Sequence, residues 1–173
     1  MRLSPLHQSA LAVALVAAGC ATVSTSALVP QTLTLERTVG GTVSIQASGS
    51  GKRAYVMRPL VSAEAIHDAL TAAVEDAALF DEIVPGEADR NLLVTVESID
   101  EPEIGLDQTC TVTLRWRLTT GDGSRTIWEE RITTERTLDF LDEIDSEARG
   151  RLAIEGALRS NLREGLERLS RDG

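Results

Sequence analysis

Two neighbouring segments of the chain alternate apolar and polar residues with a period of two. Residues 109–119 are TCTVTLRWRLT, residues 125–138 are RTIWEERITTERTL, and the turn residues TGDGS stand between them. Because successive side chains of a β-strand point to opposite faces, this pattern predicts an antiparallel hairpin with one apolar face. That face has to be buried against a second layer, so this part of the chain is committed to a sheet covered on one side.

The segments around the hairpin extend it to an α+β pattern. Alternation predicts further strands over 32–35, 42–47 and 91–99. A helix is predicted from Ser62, a candidate N-cap, to about residue 80, and a longer one from Ser146 to Leu169. The order strand, helix, three-strand meander, helix predicts a two-layer α+β sandwich with a mainly antiparallel sheet and both helices on one face.

Charged residues are spaced so that opposite signs meet. Arg115 and Arg117 share a face of the first hairpin strand, and Glu129, Arg131 and Glu135 share a face of the second. Pairs across the hairpin are expected to stabilise it. In the last helix each Glu precedes an Arg by four residues, which predicts a solvated outer face. These pairs are Glu147–Arg151, Glu155–Arg159, Glu164–Arg168 and Glu167–Arg171.

Residues 1–19 differ in character from the rest of the chain. Arg2 gives a positive start, 11–18 are wholly apolar, and the first acidic residue is Glu36. An apolar run this short cannot cross a bilayer, which needs roughly 20 residues, but it is typical of a signal peptide. We therefore expect the protein to be exported.

The stretch Ala17-Ala18-Gly19-Cys20 resembles the lipobox of bacterial lipoproteins, although Ala17 stands where that motif usually has Leu. The resemblance implies cleavage between Gly19 and Cys20, with diacylglycerol and a further acyl chain on Cys20. With Ala21 after the cysteine, it also implies the periplasmic face of the outer membrane. The alternative is an ordinary secretory signal cut nearby, which would leave Cys20 as a thiol.

The small, hydroxyl-rich residues 20–31 are interpreted as a tether, and 32–173 as one α+β periplasmic domain. With Cys20 acylated, no intrachain disulfide is expected. Cys110 alternates with apolar residues and is predicted to be core, as are Trp116 and Trp128.

No catalytic, metal or cofactor residues are predicted. His67 stands alone on a helix, and no G-x-S-x-G turn accompanies it. Acidic residues 139–147 lack the spacing of a calcium loop, because Phe140, Leu141 and Ile144 interrupt them; we expect them to cap the following helix. The net charge of −10 argues against nucleic-acid binding.

From residue 20 to 170 the order of elements resembles the small YajG-like outer-membrane lipoproteins, on segments such as GTVSIQA, ALTAAVEDAALF and NLLVTVESI. Auxiliary lipoproteins of ABC-type lipid transport systems share a similar plan, including a phrase like AAVEDAALFDEIV. The first resemblance implies a non-enzymatic envelope lipoprotein with a protein partner. The second implies a lipid-transport accessory that contacts lipid.

Overall fold

The computed structural model describes residues 23–49, 61–100 and 105–173. Gly19 and Cys20 of the predicted cleavage and lipidation site lie outside these ranges, as do residues 50–60 and 101–104. The elements in chain order are α1 (Thr25–Leu28), β1 (Thr42–Ser48), α2 (Ala63–Ala77), β2 (Glu82–Ile83), β3 (Arg90–Asp100), β4 (Gln108–Thr120), β5 (Thr126–Leu138) and α3 (Ser146–Asp172).

The strands form one open sheet in the order β2-β1-β3-β4-β5. β3, β4 and β5 are the predicted antiparallel meander, whereas β1 is parallel to both of its neighbours. The parallel pairing arises because α2 carries the chain back across the sheet between β1 and β3. α2 packs on β1 and β2, α3 packs on β4 and β5, and α1 contacts both helices. The predicted two-layer α+β sandwich is confirmed.

One face of the sheet forms the core with the helices. Alternate side chains of β4 from Cys110 to Leu118 are fully buried, and Trp128 is 7% exposed. The interpretation of Cys110, Trp116 and Trp128 as core residues is confirmed. The sequence period of two is therefore the direct consequence of burial on one side.

Helix α2 begins and ends at recognisable caps. The Ser62 hydroxyl accepts a hydrogen bond from the Ala65 amide at 3.0 Å, as the sequence predicts. Ala78 adopts the left-handed conformation with φ 48° and ends the helix three residues before the predicted limit. The chain then pairs Glu82–Ile83 with Thr42–Val43, which forms the short edge strand β2 that the sequence did not predict.

Trp116 anchors α3 to the sheet. Its indole N–H donates to Asn161 Oδ1 at 3.1 Å, and the Asn161 amide donates to the Ile132 carbonyl at 2.9 Å. Both side chains are fully buried, and these bonds satisfy polar groups that would otherwise be costly there. Gly165 lies directly against the indole ring.

The predicted strand over 32–35 is wrong. These residues belong to no helix or strand and join no ladder, and both sides of β1 are paired with β2 and β3 instead. Leu33 and Leu35 pack against the core, while the Thr34 amide donates to the Glu167 carboxylate at 3.1 Å. An extended chain lying on an apolar surface alternates in the same way as a strand, so the pattern did not distinguish the two.

The described part of the predicted tether, residues 23–31, is folded onto the domain. Val23 is 4% exposed, and Leu28 and Pro30 are buried. The Ser24 side chain caps α1, and Arg159 donates to the Ala27 carbonyl at 2.7 Å. This corrects the interpretation of residues 23–31 as a tether, because apolar side chains of the segment are buried in the core.

The outer face of α3 is also less solvated than predicted. Glu164 and Arg168 pair at 2.5 Å as expected, but Glu155 is buried and pairs with the preceding Arg151 at 3.4 Å. Arg159 and Glu167 contact the N-terminal segment instead of their predicted partners, Glu155 and Arg171. The segment covers a helix face that the charge pattern had assigned to solvent.

The outer face of the sheet carries a three-residue ion cluster. Arg115 and Arg131 lie directly opposite each other, an arrangement of like charges that is unfavourable by itself. Glu97, at the β-bulge of β3, contacts both guanidinium groups, at 2.5 and 2.6 Å. The hydrogen bonds from Arg131 and then Arg115 lower the pKa of Glu97. The predicted cross-hairpin pair Arg117–Glu129 forms at 3.0 Å.

Asp122 in the β4–β5 turn should titrate well below an ordinary carboxyl. Hydrogen bonds from the Thr120 hydroxyl, and then from the Ser124 amide and hydroxyl, lower its pKa to about 2. The ionised carboxylate therefore stabilises the folded state fully above the ordinary Asp pKa of 3.8, and this stabilisation is lost as the pH falls through about 2. NMR titration should place the carboxyl near that value, and the stability advantage of wild type over Asp122→Asn should shrink from pH 4 to 2.

Candidate functional site

The described residues show no arrangement typical of a catalytic or metal site. His67 is exposed on α2, and its ring Nδ1 lies 3.1 Å from the Asp68 carboxylate next to it. Within the ranges 23–49, 61–100 and 105–173, no three His, Cys, Asp or Glu side chains come close enough together to hold a metal ion. In the same ranges, no helix is both long and apolar enough to cross a bilayer.

The acidic residues 139–147 bind backbone amides. Asp145 is the N-cap of α3 and accepts from the Ala148 amide at 2.7 Å, as the capping interpretation predicts. Asp139 accepts from the Leu141 amide at 2.8 Å, and Asp142 accepts from the Asp139 amide at 3.2 Å. These carboxylates hold the β5–α3 loop in shape and direct its other side chains outward.

The side chains directed outward form an exposed apolar surface. Leu106 in the β3–β4 loop is 73% exposed, and in the β5–α3 loop Phe140 is 41%, Leu141 89% and Ile144 74% exposed. We call these four residues the loop-end patch. Single exposed apolar residues are ordinary, but several on adjoining loops are typical of an interaction surface.

Arg149 holds the two loops of the patch together. It is only 3% exposed, and its guanidinium donates to the carbonyls of Glu143, Ile144 (3.2 Å) and Gly105 (3.0 Å). It also lies 5.7 Å from the centre of the Phe140 ring, within cation–π range. Gln108 adds a second link between the loops through the Ser146 hydroxyl at 2.8 Å. The apolar side chains are thus presented from a fixed backbone.

The patch adjoins a free strand edge. β5 is the outermost strand of the sheet and ends at Leu138, two residues before Phe140. The opposite edge, β2, spans only two residues. Charged side chains along β5, such as Glu129, Arg131 and Glu135, disfavour non-specific pairing of this edge with strands of other chains. A partner strand with complementary charges could still add there.

Sequence reasoning did not single out the loop-end patch. The sequence pattern excluded a calcium loop because of Phe140, Leu141 and Ile144, and it gave no indication for Leu106. The available indication was that three large apolar residues stand in a connection between a strand and a helix, where side chains are usually solvent-exposed.

Two shallow pockets on the described surface are each lined by two arginines. A pocket of about 310 Å³ on the outer sheet face is lined by Leu93, Thr95, Glu97, Arg115 and Arg117. Its arginines are paired with Glu97 and Glu129. The other, of about 210 Å³, lies between the N-terminal segment and α3.

Comparison with known protein families gives no match, and comparison with curated proteins gives none either. Solved structures with the same fold do exist. Protein XCC0632 from Xanthomonas campestris, of family DUF330, has a TM-score of 0.62 at 15% identity, covering 84% of this chain and 92% of its own. The hypothetical protein CT253 from Chlamydia trachomatis has a TM-score of 0.58 at 10% identity, covering 77% and 97%.

A Caulobacter crescentus protein described as a lipoprotein has a TM-score of 0.51 at 15% identity, covering 73% of this chain and 88% of its own. None of these three proteins carries the name of an enzyme. At such identities the likeness is one of fold alone. The chain has an α+β fold that occurs among bacterial lipoproteins.

Proposed function

We propose that this protein is a non-enzymatic, lipid-anchored envelope lipoprotein that binds a protein partner at the loop-end patch and the adjoining β5 edge. The observation that carries the proposal is the loop-end patch itself, four large apolar side chains held outward by the buried Arg149. A chain that folded only for its own stability would gain by burying them, at roughly 25 cal/mol per Å² of apolar surface.

The proposed location is the periplasmic face of the outer membrane, with the lipid on Cys20. The lipobox resemblance of residues 17–20 supports it, and so does a fold that occurs among bacterial lipoproteins. The more specific YajG-like assignment is part of the same proposal, because that group shares the strand, helix, meander and helix order seen here.

An accessory role in ABC-type lipid transport is the second candidate. It is favoured by the segment 72–84, AAVEDAALFDEIV, which resembles a phrase of those auxiliary lipoproteins. This segment forms the end of α2, the Ala78 cap and β2, and the chain then continues into the meander. In that case the loop-end patch would contact lipid or a transporter subunit, and phospholipid should co-purify with the protein.

Photocrosslinking in intact cells tests the partner-binding role. A photoreactive residue at Leu141 should capture one stoichiometric envelope protein, because at 89% that side chain is the most exposed of the patch. The product should fall at least tenfold when Ile144→Asp is added, since a charge in an apolar contact costs at least about 1.4 kcal/mol. Mass spectrometry after mild-detergent purification identifies the crosslinked protein.

Two controls locate the effect. Leu152→Ser alters an apolar side chain on α3, outside the two loops, and should leave the crosslink intact. The same photoreactive residue at Arg125, at the opposite end of the β4–β5 hairpin, should not capture this protein. Identical products from positions 125 and 141, or a product insensitive to Ile144→Asp, would refute binding at the patch. Enriched phospholipid with transporter subunits would favour the second candidate.

A further inference from the structure

The pocket between the N-terminal segment and α3 has a distinctive charge. It is lined by Pro30, Gln31 and Thr32 from the segment and by Arg159, Ser160 and Arg163 from the helix, and its volume is about 210 Å³. Arg159 and Arg163 are four residues apart, so their guanidinium groups reach the same face of α3. Like charges at this spacing disfavour a helix unless an anion lies between them.

The two arginines contrast with their neighbours on the same helix. Arg151, Arg168 and Arg171 each pair with a carboxylate, at 3.4, 2.5 and 3.7 Å respectively. Arg149 has no carboxylate partner among the described residues, but it is buried and donates to three backbone carbonyls. In the part of the chain that the structure describes, no carboxylate lies within ion-pair distance of Arg159 or Arg163. The only hydrogen bond described for the Arg159 guanidinium goes to the Ala27 carbonyl, which leaves its other N–H groups available. In a chain of net charge −10, two such cations in one pocket are a conspicuous exception.

The position of the pocket ties it to the proposed anchor. Ala27, which Arg159 holds, is seven residues after Cys20, and Thr25–Ala27 are helical. The chain between them therefore spans at most about 20 Å. Because Val23 is already buried in the domain, the segment cannot move the pocket away from the bilayer surface.

We propose that this pocket binds the phosphate of a phospholipid headgroup in the membrane to which the chain is anchored. The proposal rests on the proposed lipidation of Cys20. Guanidinium N–H groups are the preferred donors to phosphate oxygens, and Ser160, Thr32 and Gln31 add neutral donors at the rim. The volume is below the roughly 300 Å³ typical of small-molecule pockets, so it suits a headgroup and not an acyl chain. Headgroup binding would fix the orientation of the domain on the membrane.

Titration of the full lipidated protein tests the site. The protein is held in a phosphate-free maltoside detergent, and the Nε–Hε NMR signals of Arg159 and Arg163 are followed. Monomeric dihexanoylphosphatidylglycerol should shift both signals saturably, whereas phosphate-free dihexanoylglycerol should shift neither. Arg163→Gln should weaken the binding about fivefold or more, because it removes one cation from the site. The fold should be unaffected, because the Arg163 guanidinium makes no hydrogen bond to the described residues. Arg125→Gln, which removes a distant exposed arginine, should leave the affinity unchanged.

The arms separate the sources of phosphate and the two proposals. Equal or tighter saturation by inorganic phosphate would overturn the assignment to a headgroup, as would an absence of localised shifts or an unaltered affinity in Arg163→Gln. Palmitate labelling of Cys20 on the same sample reports the anchor independently. A failed titration with labelled protein therefore overturns the headgroup site alone, and partner crosslinking at Leu141 is judged separately.

Discussion

Replacement of Cys20 by Ser is expected to move the protein from the membrane fraction to the soluble periplasm. A serine hydroxyl is not alkylated by the lipid-transfer reaction that the lipobox resemblance implies, so every acyl chain would be lost. Each buried methylene contributes about 0.8 kcal/mol, and two or more chains anchor a protein stably whereas none remain in the variant. Fractionation with palmitate labelling measures the change, which should be close to complete.

The second cysteine supplies the matched control. Cys110 is fully buried on β4, so Cys110→Ala removes a thiol that acyl transfer cannot reach in the folded chain. That variant should keep both the palmitate label and the membrane association. A Cys20→Ser protein that stays on the membrane, together with an unlabelled wild type, would show the anchor to be wrong and would return Cys20 to the alternative of an ordinary secretory signal.

Packing of residues 23–31 changes what the anchor means physically. With a free tether to residue 31, the domain could hang roughly 35 Å from the bilayer. Since Val23 is buried, only residues 20–22 would separate the proposed lipid from the folded domain, and three residues reach at most about 10 Å. A domain anchored so closely would keep one side toward the membrane, and this is the reason why the proposed headgroup site is placed at the arginine pocket near Ala27.

The sequence predicted those elements whose burial leaves a regular trace. β4 and β5 have thirteen residues each with one buried face, and their alternation located them within a residue or two. Ser62 marked the start of α2 because a side-chain oxygen at that position meets a free amide, and capping was predicted for the acidic run 139–147, in which Asp145 is the N-cap. By contrast, 32–35 alternates because Leu33 and Leu35 pack against the core, and the two-residue β2 is too short to carry any period.

Surface features were harder to predict because they depend on which segments meet. Nothing local distinguishes Arg149, whose burial requires Gly105 from a loop 44 residues away. Arg159 was assigned to a solvated charge pattern, and its place in a pocket beside Arg163 depends on the N-terminal segment that lies next to the helix. The loop-end patch and the arginine pocket are both products of such long-range contacts, whereas the capping role of Asp145 is local and was predicted.

Substitution of Gly165 by Ala should destabilise the domain by about 2 kcal/mol. An added Cβ would lie 2.2 Å from the Trp116 ring and within 3.0 Å of three of its atoms, and the fully buried, rigid indole cannot move aside. Overpacking of this kind typically costs about 1–3 kcal/mol, and we expect the upper end here. The gain in helix propensity from Gly to Ala offsets at most about 1 kcal/mol. Urea denaturation should show the loss of unfolding free energy, and thermal denaturation should show a fall in Tm of about 4–8 °C.

Gly156, on the same helix, is the control that separates steric overlap from helix propensity. Its added Cβ would meet the Arg136 Cγ at 2.8 Å, but Arg136 is exposed and can change rotamer. The gain in propensity should then offset the contact, leaving Gly156→Ala within about 0.5 kcal/mol of wild type. If Gly165→Ala were as stable as Gly156→Ala, the close seating of α3 on Trp116 would be wrong. Because Asn161 binds the same indole one turn earlier, the register of α3 over β4 and β5 would then have to be reassigned.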